Sequence, residues 1–241
     1  MKKTIFITGA AKRIGKEIAL CFSEMGWNII IHYNSSKNDA QVLADEINGN
    51  NPDSAITVQG NLDVKEDVEK VINEVRDAFP TIDLLINNAS TFYPTPIEDI
   101  SEEHWDKLVG SNLKGPLFLI KGLKDKLKES KGSIINITDT NLSKGVANYS
   151  IYSAAKAGLE SITKGLAREL APDIKVNAIA PGAMLEPPDV TWTEEQKSKV
   201  ISSIPLNRMG SVEDISEAVK FLAKSNYITG QIIKVDGGRS L

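Results

Sequence analysis

Residues 3–15 read KTIFITGAAKRIG, in which an apolar run ends at Thr8-Gly9 and an amphipathic pattern begins near Ile14. A glycine at a strand-to-helix turn allows backbone amides to approach a pyrophosphate, and the N-terminus of the following helix favours its negative charge. The stretch therefore predicts the first βα unit of a dinucleotide-binding domain. The residues that we expect to line the cofactor site here are Gly9, Lys12, Arg13 and Ile14.

Short apolar runs alternate with longer amphipathic segments along the rest of the chain. The predicted strands are rich in Ile and Val, as expected for strands buried on both faces of a parallel sheet; they are 3–8, 28–33, 55–60, 82–86, 132–138, 174–180 and 231–235. The predicted helices are 14–26, 38–48, 65–78, 102–128, 150–171 and 212–224. Repeated βα units predict an α/β fold, a single doubly wound Rossmann-type domain with a mostly parallel seven-stranded sheet and helices on both faces.

No linker or repeat divides the 241 residues, so we expect one domain over 1–241. Its cofactor half is predicted over about 1–90, and its catalytic and substrate half over about 91–241. One long irregular segment, about 181–205, contains several prolines, and a loop of that length usually serves as a lid or a binding loop. We expect residues 183–205 to cover the substrate.

Composition excludes several classes of function. The formal net charge is −4 and no basic block is present, so neither nucleic acid nor a membrane is an expected partner. Cys21 is the only cysteine and there are two histidines, which argues against a disulfide or a metal site. The first apolar run is too short for a signal peptide, and no segment approaches the roughly 18 apolar residues that span a bilayer. We expect a cytoplasmic protein with a small-molecule substrate.

The end of the second predicted strand bears on the choice of cofactor. NAD sites usually have an acidic residue here that binds the ribose 2′-hydroxyl, and residues 31–37 contain none. That absence permits a 2′-phosphate, to which Lys12 and neighbouring hydroxyls can donate. We expect NADPH/NADP+ to be the cofactor, although a solvated polar turn would show the same sequence. The residues expected at this end are Tyr33, Asn34 and Ser35.

A tyrosine and a lysine four residues apart, Tyr152 and Lys156, lie on one helix face, with Asp139 thirteen residues before the tyrosine. A nearby ammonium favours the phenolate and lowers the pKa of a tyrosine. A tyrosine tuned in this way can donate a proton to a reduced carbonyl or imine. The pair predicts a reductase in which Tyr152 is the proton donor.

With these residues in view, the chain resembles the short-chain dehydrogenase/reductase family over nearly its whole length. Arg13 stands where the middle glycine of the first motif is usual. The other matching motifs are Thr8-Gly9 with Gly15, Asn87-Asn88-Ala89-Ser90, Asn112, Tyr152 with Lys156, and Pro181-Gly182. The resemblance implies cofactor contacts from Asn88, Ala89, Tyr152, Lys156, Pro181 and Gly182. It also implies that Asn112 holds a proton-relay water, and that the protein is a homotetramer.

Asp139 departs from the family, which normally has a serine at this position to polarise the substrate carbonyl. One interpretation is a drifted member with impaired catalysis. The other is a subfamily with a different substrate, because pteridine reductases also have Asp here, Arg in the glycine motif, and a segment similar to residues 87–96. They commonly have a basic residue where Asn34 stands, which is a second departure.

The pteridine-reductase resemblance implies a flat substrate held between Phe92 and the nicotinamide. Ser90 and Arg13 would reach polar atoms of the substrate or the cofactor phosphate, and Asp139 would pass a proton to Tyr152 or bind a substrate nitrogen. At the adenine end either Asn61 or Asp63 fits the position after the third strand, and spacing favours Asn61.

Three functions remain open from the sequence. The first is NADPH-dependent reduction of a C=N bond in a pterin, dihydropterin or dihydrofolate. The second is NADPH-dependent reduction of a ketone or a 3-oxoacyl thioester. The third is a non-catalytic NADP-binding protein, against which the intact Asn112, Tyr152 and Lys156 argue.

Overall fold

The computed structural model describes residues 2–184 and 192–241, and they form one seven-stranded sheet in which every strand pair is parallel. The strand order is β3-β2-β1-β4-β5-β6-β7. The strands are β1 Thr4–Ile7, β2 Asn28–Tyr33, β3 Ala55–Gln59, β4 Leu84–Asn87, β5 Ser133–Ile137, β6 Lys175–Pro181 and β7 Ile232–Val235. The predicted doubly wound fold is confirmed, and the sheet is wholly rather than mostly parallel.

Helices cover both faces of this sheet and enclose a separate apolar core on each side. The helices are α1 Arg13–Glu24, α2 Lys37–Asn50, α3 Lys65–Ala78, α4 Glu102–Val109, α5 Gly115–Glu129, α6 Ser150–Glu169, α7 Glu194–Ser202 and α8 Val212–Lys224. Neighbouring β1 residues show the division, because Ile5 and Ile7 pack with α1, α2 and α8, whereas Phe6 packs with α3 and α5. Both faces of the central strands are therefore buried, which explains their unbroken apolar runs.

The strand order reverses at β1, which pairs with β2 on one side and with β4 on the other. In open parallel sheets such a switch point leaves a crevice beyond the carboxyl ends of the strands. The loops after β1, β2, β3 and β4 all open into this crevice. The fold thus places the predicted glycine turn where a ligand can reach it.

Two predicted elements differ from the structure. The single helix expected over 102–128 is interrupted by a π-helical turn at Gly110–Lys114, because the chain packs closely on the loop after β3. The irregular segment expected over 181–205 contains α7, which begins with a capping box between Thr193 and Gln196. Residues 185–191 of that segment lie outside the described residues.

No helix among residues 2–184 and 192–241 combines the length and the apolar character that crossing a membrane requires.

Candidate active site

The turn after β1 is shaped by two glycines that tolerate no side chain. Gly9 has a φ of +61°, and a Cβ on it would lie 2.9 Å from Ala89 Cα. A Cβ on Gly15 would lie 2.4 Å from the Gly9 carbonyl oxygen and 2.8 Å from Asn88 Nδ2. Asn88 Nδ2 itself donates to the carbonyls of Thr8 and Gly9 at 2.9 and 3.1 Å. The turn is therefore clamped against the end of β4 in the geometry expected of a phosphate-binding loop.

The N-terminus of α1 faces this turn. Lys12 precedes the helix in an extended conformation and its side chain forms no capping hydrogen bond. Arg13 occupies the left-handed region with a φ of +53°, which costs a residue with a Cβ about 1–2 kcal/mol. A strained residue at a ligand-binding turn is typical of a functional position.

The crevice encloses about 680 Å³ and brings together most of the residues predicted to bind cofactor or substrate. These residues are Gly9, Lys12, Arg13, Ile14, Tyr33, Asn34, Ser35, Asn61, Asn88, Ala89, Ser90 and Phe92. A second cavity of about 450 Å³ lies near the C-terminus and is lined by none of them. Of the remaining predicted residues, Asp139 follows β5, Pro181 ends β6 and Gly182 follows it. Asn112 lies between α4 and α5, and Tyr152 and Lys156 lie on α6.

Lys12 makes a contact that the sequence did not predict. Its Nζ lies 3.1 Å from Asp39 Oδ2 in the first turn of α2, and both side chains are about half exposed. The cation expected to meet a 2′-phosphate thus has a carboxylate partner in this arrangement.

Asp139 and Tyr152 are in direct contact. The Tyr152 hydroxyl donates to Asp139 Oδ2 at 3.0 Å, while Asp139 Oδ1 accepts from the Asn141 amide at 2.7 Å. The second bond makes Asp139 the cap of a short 3-10 turn at Thr140–Ser143 and fixes its orientation. Lys156 is buried beneath the pair and donates from Nζ to the Ile137 carbonyl at 2.8 Å.

Tyr152 does not have the lowered pKa that its proximity to Lys156 led us to expect. Burial, followed by the charge and the hydrogen bond of Asp139, raises the pKa of Tyr152 above its usual value, and a hydrogen bond with Ser90 opposes this. Burial lowers the pKa of Lys156 to about 8, and the Asp139 charge opposes that decrease. Tyr152 is therefore held in its protonated form in this arrangement.

Asn112 lies in the π-helical turn with its side chain fully buried. Its Nδ2 donates to the carbonyls of Leu108 and Thr91 at 2.9 and 2.8 Å, and its Oδ1 accepts from Ser90 Oγ at 2.7 Å. Asn112 therefore fixes the Ser90 hydroxyl, which lies at the wall of the crevice. The relay water expected from the resemblance stays a prediction.

Phe92 stacks on an aromatic ring that the sequence did not single out. Its ring lies 4.6 Å from that of Tyr149 with an interplanar angle of 15°, and 4.8 Å from Tyr152 at 76°. Phe92 is 53% exposed, so the stack opens to solvent beside Tyr152. Stacking of Phe92 on a nicotinamide-bound substrate stays a prediction.

At the end of β6, Pro181 and Gly182 are fixed against β7. The Gly182 amide donates to the Val235 carbonyl at 2.9 Å, and a Cβ on Gly182 would lie 2.5 Å from the Asp236 side chain.

At the opposite end of the crevice, Asn61 Oδ1 accepts from the Asp63 amide at 3.1 Å. Asp63 Oδ1 is buried and has no hydrogen-bond partner among the described residues, which makes Asp63 as good a candidate as Asn61 for the adenine contact.

Three residues with a place in this site were missed from the sequence. Tyr149 is one helical turn before Tyr152, and that spacing was the available signal. No sequence signal indicated Asp39, because its contact with Lys12 joins two different elements of the fold. His32 is the last buried residue of β2 and lies beside the glycine turn, which is an unusual position for a titratable side chain.

Known proteins similar to this chain agree on its family. A family model described as enoyl-(acyl carrier protein) reductase matches residues 9–240. The 3-oxoacyl-(acyl-carrier-protein) reductase FabG of Staphylococcus aureus is 37% identical over 242 residues, covering 99% of this chain and 98% of the relative. Pteridine reductase 1 of Leishmania tarentolae is 35% identical over 279 residues, covering 98% and 95% respectively. The chain belongs to the short-chain dehydrogenase/reductase family of oxidoreductases.

Proposed function

We propose that the protein is an NADPH-dependent reductase of a C=N bond in a pterin, dihydropterin or dihydrofolate. The observation that carries the proposal is the 3.0 Å hydrogen bond from the Tyr152 hydroxyl to Asp139 Oδ2. A carboxylate beside the proton donor repels an oxyanion, so it suits a ketone poorly. The same carboxylate can accept a hydrogen bond from a ring N–H, or can take up a proton from solvent and pass it to Tyr152, so it suits a nitrogen heterocycle.

The crevice fits a dinucleotide cofactor. Gly9 and Gly15 allow the turn to pack closely against Ala89 and Asn88, and α1 directs its uncapped N-terminus to this turn. Tyr33, Asn34 and Ser35 line the same crevice and include no acid to repel a 2′-phosphate. The hydride for the reduction would come from NADPH bound in this crevice.

The chain's own groups would manage the proton. Tyr152 would donate its hydroxyl proton to the ring nitrogen, and Asp139, after taking up a proton from solvent, would pass that proton to the Tyr152 oxygen. Lys156 and Asn112 would hold the arrangement in place through their bonds to Ile137 and Ser90. Phe92 would offer one planar wall for a flat ring, since stacked aromatic contacts favour such substrates.

A second function, reduction of a 3-oxoacyl thioester, has support from the comparisons. The FabG relative is slightly more identical to this chain and aligns over nearly the same length. The alignment with pteridine reductase 1 spans 279 residues against a chain of 241, so that relative carries insertions absent here. Overall sequence similarity to FabG thus favours a thioester substrate, whereas Asp139, next to the proposed proton donor Tyr152, favours a pterin substrate. We give the second observation more weight because Asp139 contacts the reacting hydroxyl.

The test of the proposed function is NADPH oxidation, followed at its absorbance band, with three substrates in parallel. A dihydropterin, dihydrofolate and an acetoacetyl thioester are offered at equal concentration, with a substrate-free blank. Turnover of a pterin but not of the thioester supports the proposal. The reverse result would establish the ketoreductase, and NADPH binding without any turnover would favour the non-catalytic alternative.

The ion pair between Lys12 and Asp39 leads to a prediction about cofactor preference. Asp39→Asn removes a negative charge 3.1 Å from the lysine that we expect to bind the 2′-phosphate. The ratio of kcat/KM for NADPH over NADH should rise about two- to fivefold, a modest change because the pair is half exposed. Asp45→Asn is the matched control, since it removes the same charge from the exposed face of α2. A ratio that moves equally in both variants would contradict the assignment.

We also propose that the protein assembles as a homotetramer. Aromatic side chains are exposed on α4 and α5, where Trp105 and Phe118 are 51% and 43% exposed, and Phe221 on α8 is 56% exposed. Exposed aromatic side chains of this kind are typical of surfaces that bind another chain. Light scattering after size-exclusion chromatography should give four chains, and Phe118→Glu should yield a smaller species. A monomer at micromolar concentration would refute the proposal.

A further inference from the structure

His32, the last buried residue of β2, has no part in the chemistry proposed above, yet it contacts two of the loops that form the crevice. Its side chain is 1% exposed. The Gly9 amide donates to His32 Nδ1 at 3.1 Å, and His32 Nε2 lies 3.0 Å from the Gly60 carbonyl oxygen. One imidazole thus joins the turn after β1 to the turn after β3.

The two partners determine which nitrogen carries the proton. A backbone amide can only donate, so Nδ1 must be unprotonated, and a carbonyl can only accept, so Nε2 must carry the hydrogen. The backbone of the same residue adds a third bond, because the Ala10 amide donates to the His32 carbonyl at 2.9 Å. Two consecutive amides of the glycine turn are therefore held by one residue.

We propose that His32 is a positioning residue for the cofactor, which acts by holding the Gly9 amide and so keeps the glycine turn in its phosphate-binding shape. This inference rests on the cofactor part of the proposed function and not on the identity of the substrate. Gly9 has a φ of +61° and lies against Ala89, so the turn has little room to adopt another shape with its amide satisfied. Loss of the acceptor would leave that partly buried amide without a protein partner and displace the turn.

Two amide substitutions separate the two hydrogen bonds. Asparagine presents its amide at the level of Nδ1, so His32→Asn keeps an acceptor for Gly9. Glutamine presents its amide at the level of Nε2, so His32→Gln keeps a donor for Gly60. Both variants are polar and similar in size, which makes each the control for the other, and His32→Leu removes both bonds.

The measurement is the Kd of NADPH by fluorescence titration, together with kcat at saturating NADPH. We expect the Kd to rise about tenfold or more in the Gln and Leu variants and much less in the Asn variant, with kcat at saturation nearly constant. Equal Kd values in Asn and Gln, or retention of affinity by Gln alone, would overturn the inference. If the wild-type protein failed to bind NADPH, the cofactor part of the proposed function would fail instead, which the titration distinguishes.

A pH dependence provides a second readout. Burial lowers the pKa of His32 to about 4, opposed only by the Gly60 carbonyl, and no charged side chain contributes among the described residues. Because the unfolded value is 6.5 and the folded value is lower, the stabilisation is present above pH 6.5 and is lost as the pH falls toward 4. The thermal midpoint of the wild type should therefore fall more between pH 7 and pH 5 than that of His32→Asn. A parallel decrease in the two proteins would count against a neutral imidazole that holds Gly9.

Discussion

Tyr152→Phe should lower the rate of reduction by about 10²–10⁴-fold, the range attributable to a general acid, while NADPH binds with nearly unchanged affinity. The hydroxyl that is removed makes the bond to Asp139 Oδ2 and is the only titratable part of the side chain. The phenyl ring stays in place, so its edge contact with Phe92 is retained. A large loss of kcat without a change in the Kd of NADPH is the signature of a group that acts only in the chemical step.

The matched control for this prediction is Tyr149→Phe. It removes a hydroxyl one helical turn earlier and leaves the ring that stacks on Phe92. We expect it to retain most of the activity, because its hydroxyl is not bonded to Asp139. Near-normal turnover by Tyr152→Phe would show that another group donates the proton and would remove the main argument for the mechanism.

Much of this site could be read from the sequence because its residues follow strands that are easy to recognise. The strands contain unbroken Ile and Val runs, and their carboxyl ends meet at one edge of the sheet whatever the details of the helices. That is why Gly9, Asn34 and Asn88, which are far apart in sequence, were expected in one crevice and line it together.

The structural features that the sequence did not predict mostly depend on contacts between distant segments of the chain. The π-helical turn at Gly110–Lys114 forms where Gly110 and Gly115 pack on Asp63 and Leu62, which no local pattern reports. Helix α7 is different, because its Thr193-x-x-Gln196 capping box is a local signal that could have predicted where the helix begins.

The direction in which the pKa of Tyr152 shifts could not be predicted from the sequence either. Spacing placed Lys156 on the correct helix face, but it could not show that Nζ turns toward the Ile137 carbonyl. Nor could it show that Asp139, rather than the ammonium, makes the direct contact with the hydroxyl. Burial of the hydroxyl, followed by the charge and the hydrogen bond of Asp139, raises the pKa of Tyr152 instead of lowering it.

Asp139→Ser should exchange one substrate class for another. Serine is the residue that the family normally has here, and its hydroxyl can donate to a developing oxyanion, whereas the carboxylate repels it. We expect pterin reduction to fall by about 10²-fold or more and reduction of an acetoacetyl thioester to appear or rise, since a single oxyanion donor is worth about 10²–10³-fold. Serine can also cap the turn at Thr140–Ser143, so the fold should tolerate the change.

Asp139→Asn separates charge from shape in the same experiment. The amide keeps an oxygen for the Tyr152 hydroxyl or the Asn141 amide but cannot take up a proton. If the aspartate returns a proton to Tyr152, the Asn variant should lose pterin turnover as severely as the Ser variant, without gaining the thioester. If it only orients the substrate, the Asn variant should lose much less. A Ser variant that still reduces pterins and does not reduce the thioester would show that Asp139 does not determine the substrate class. Sequence similarity to FabG would then favour the ketoreductase function.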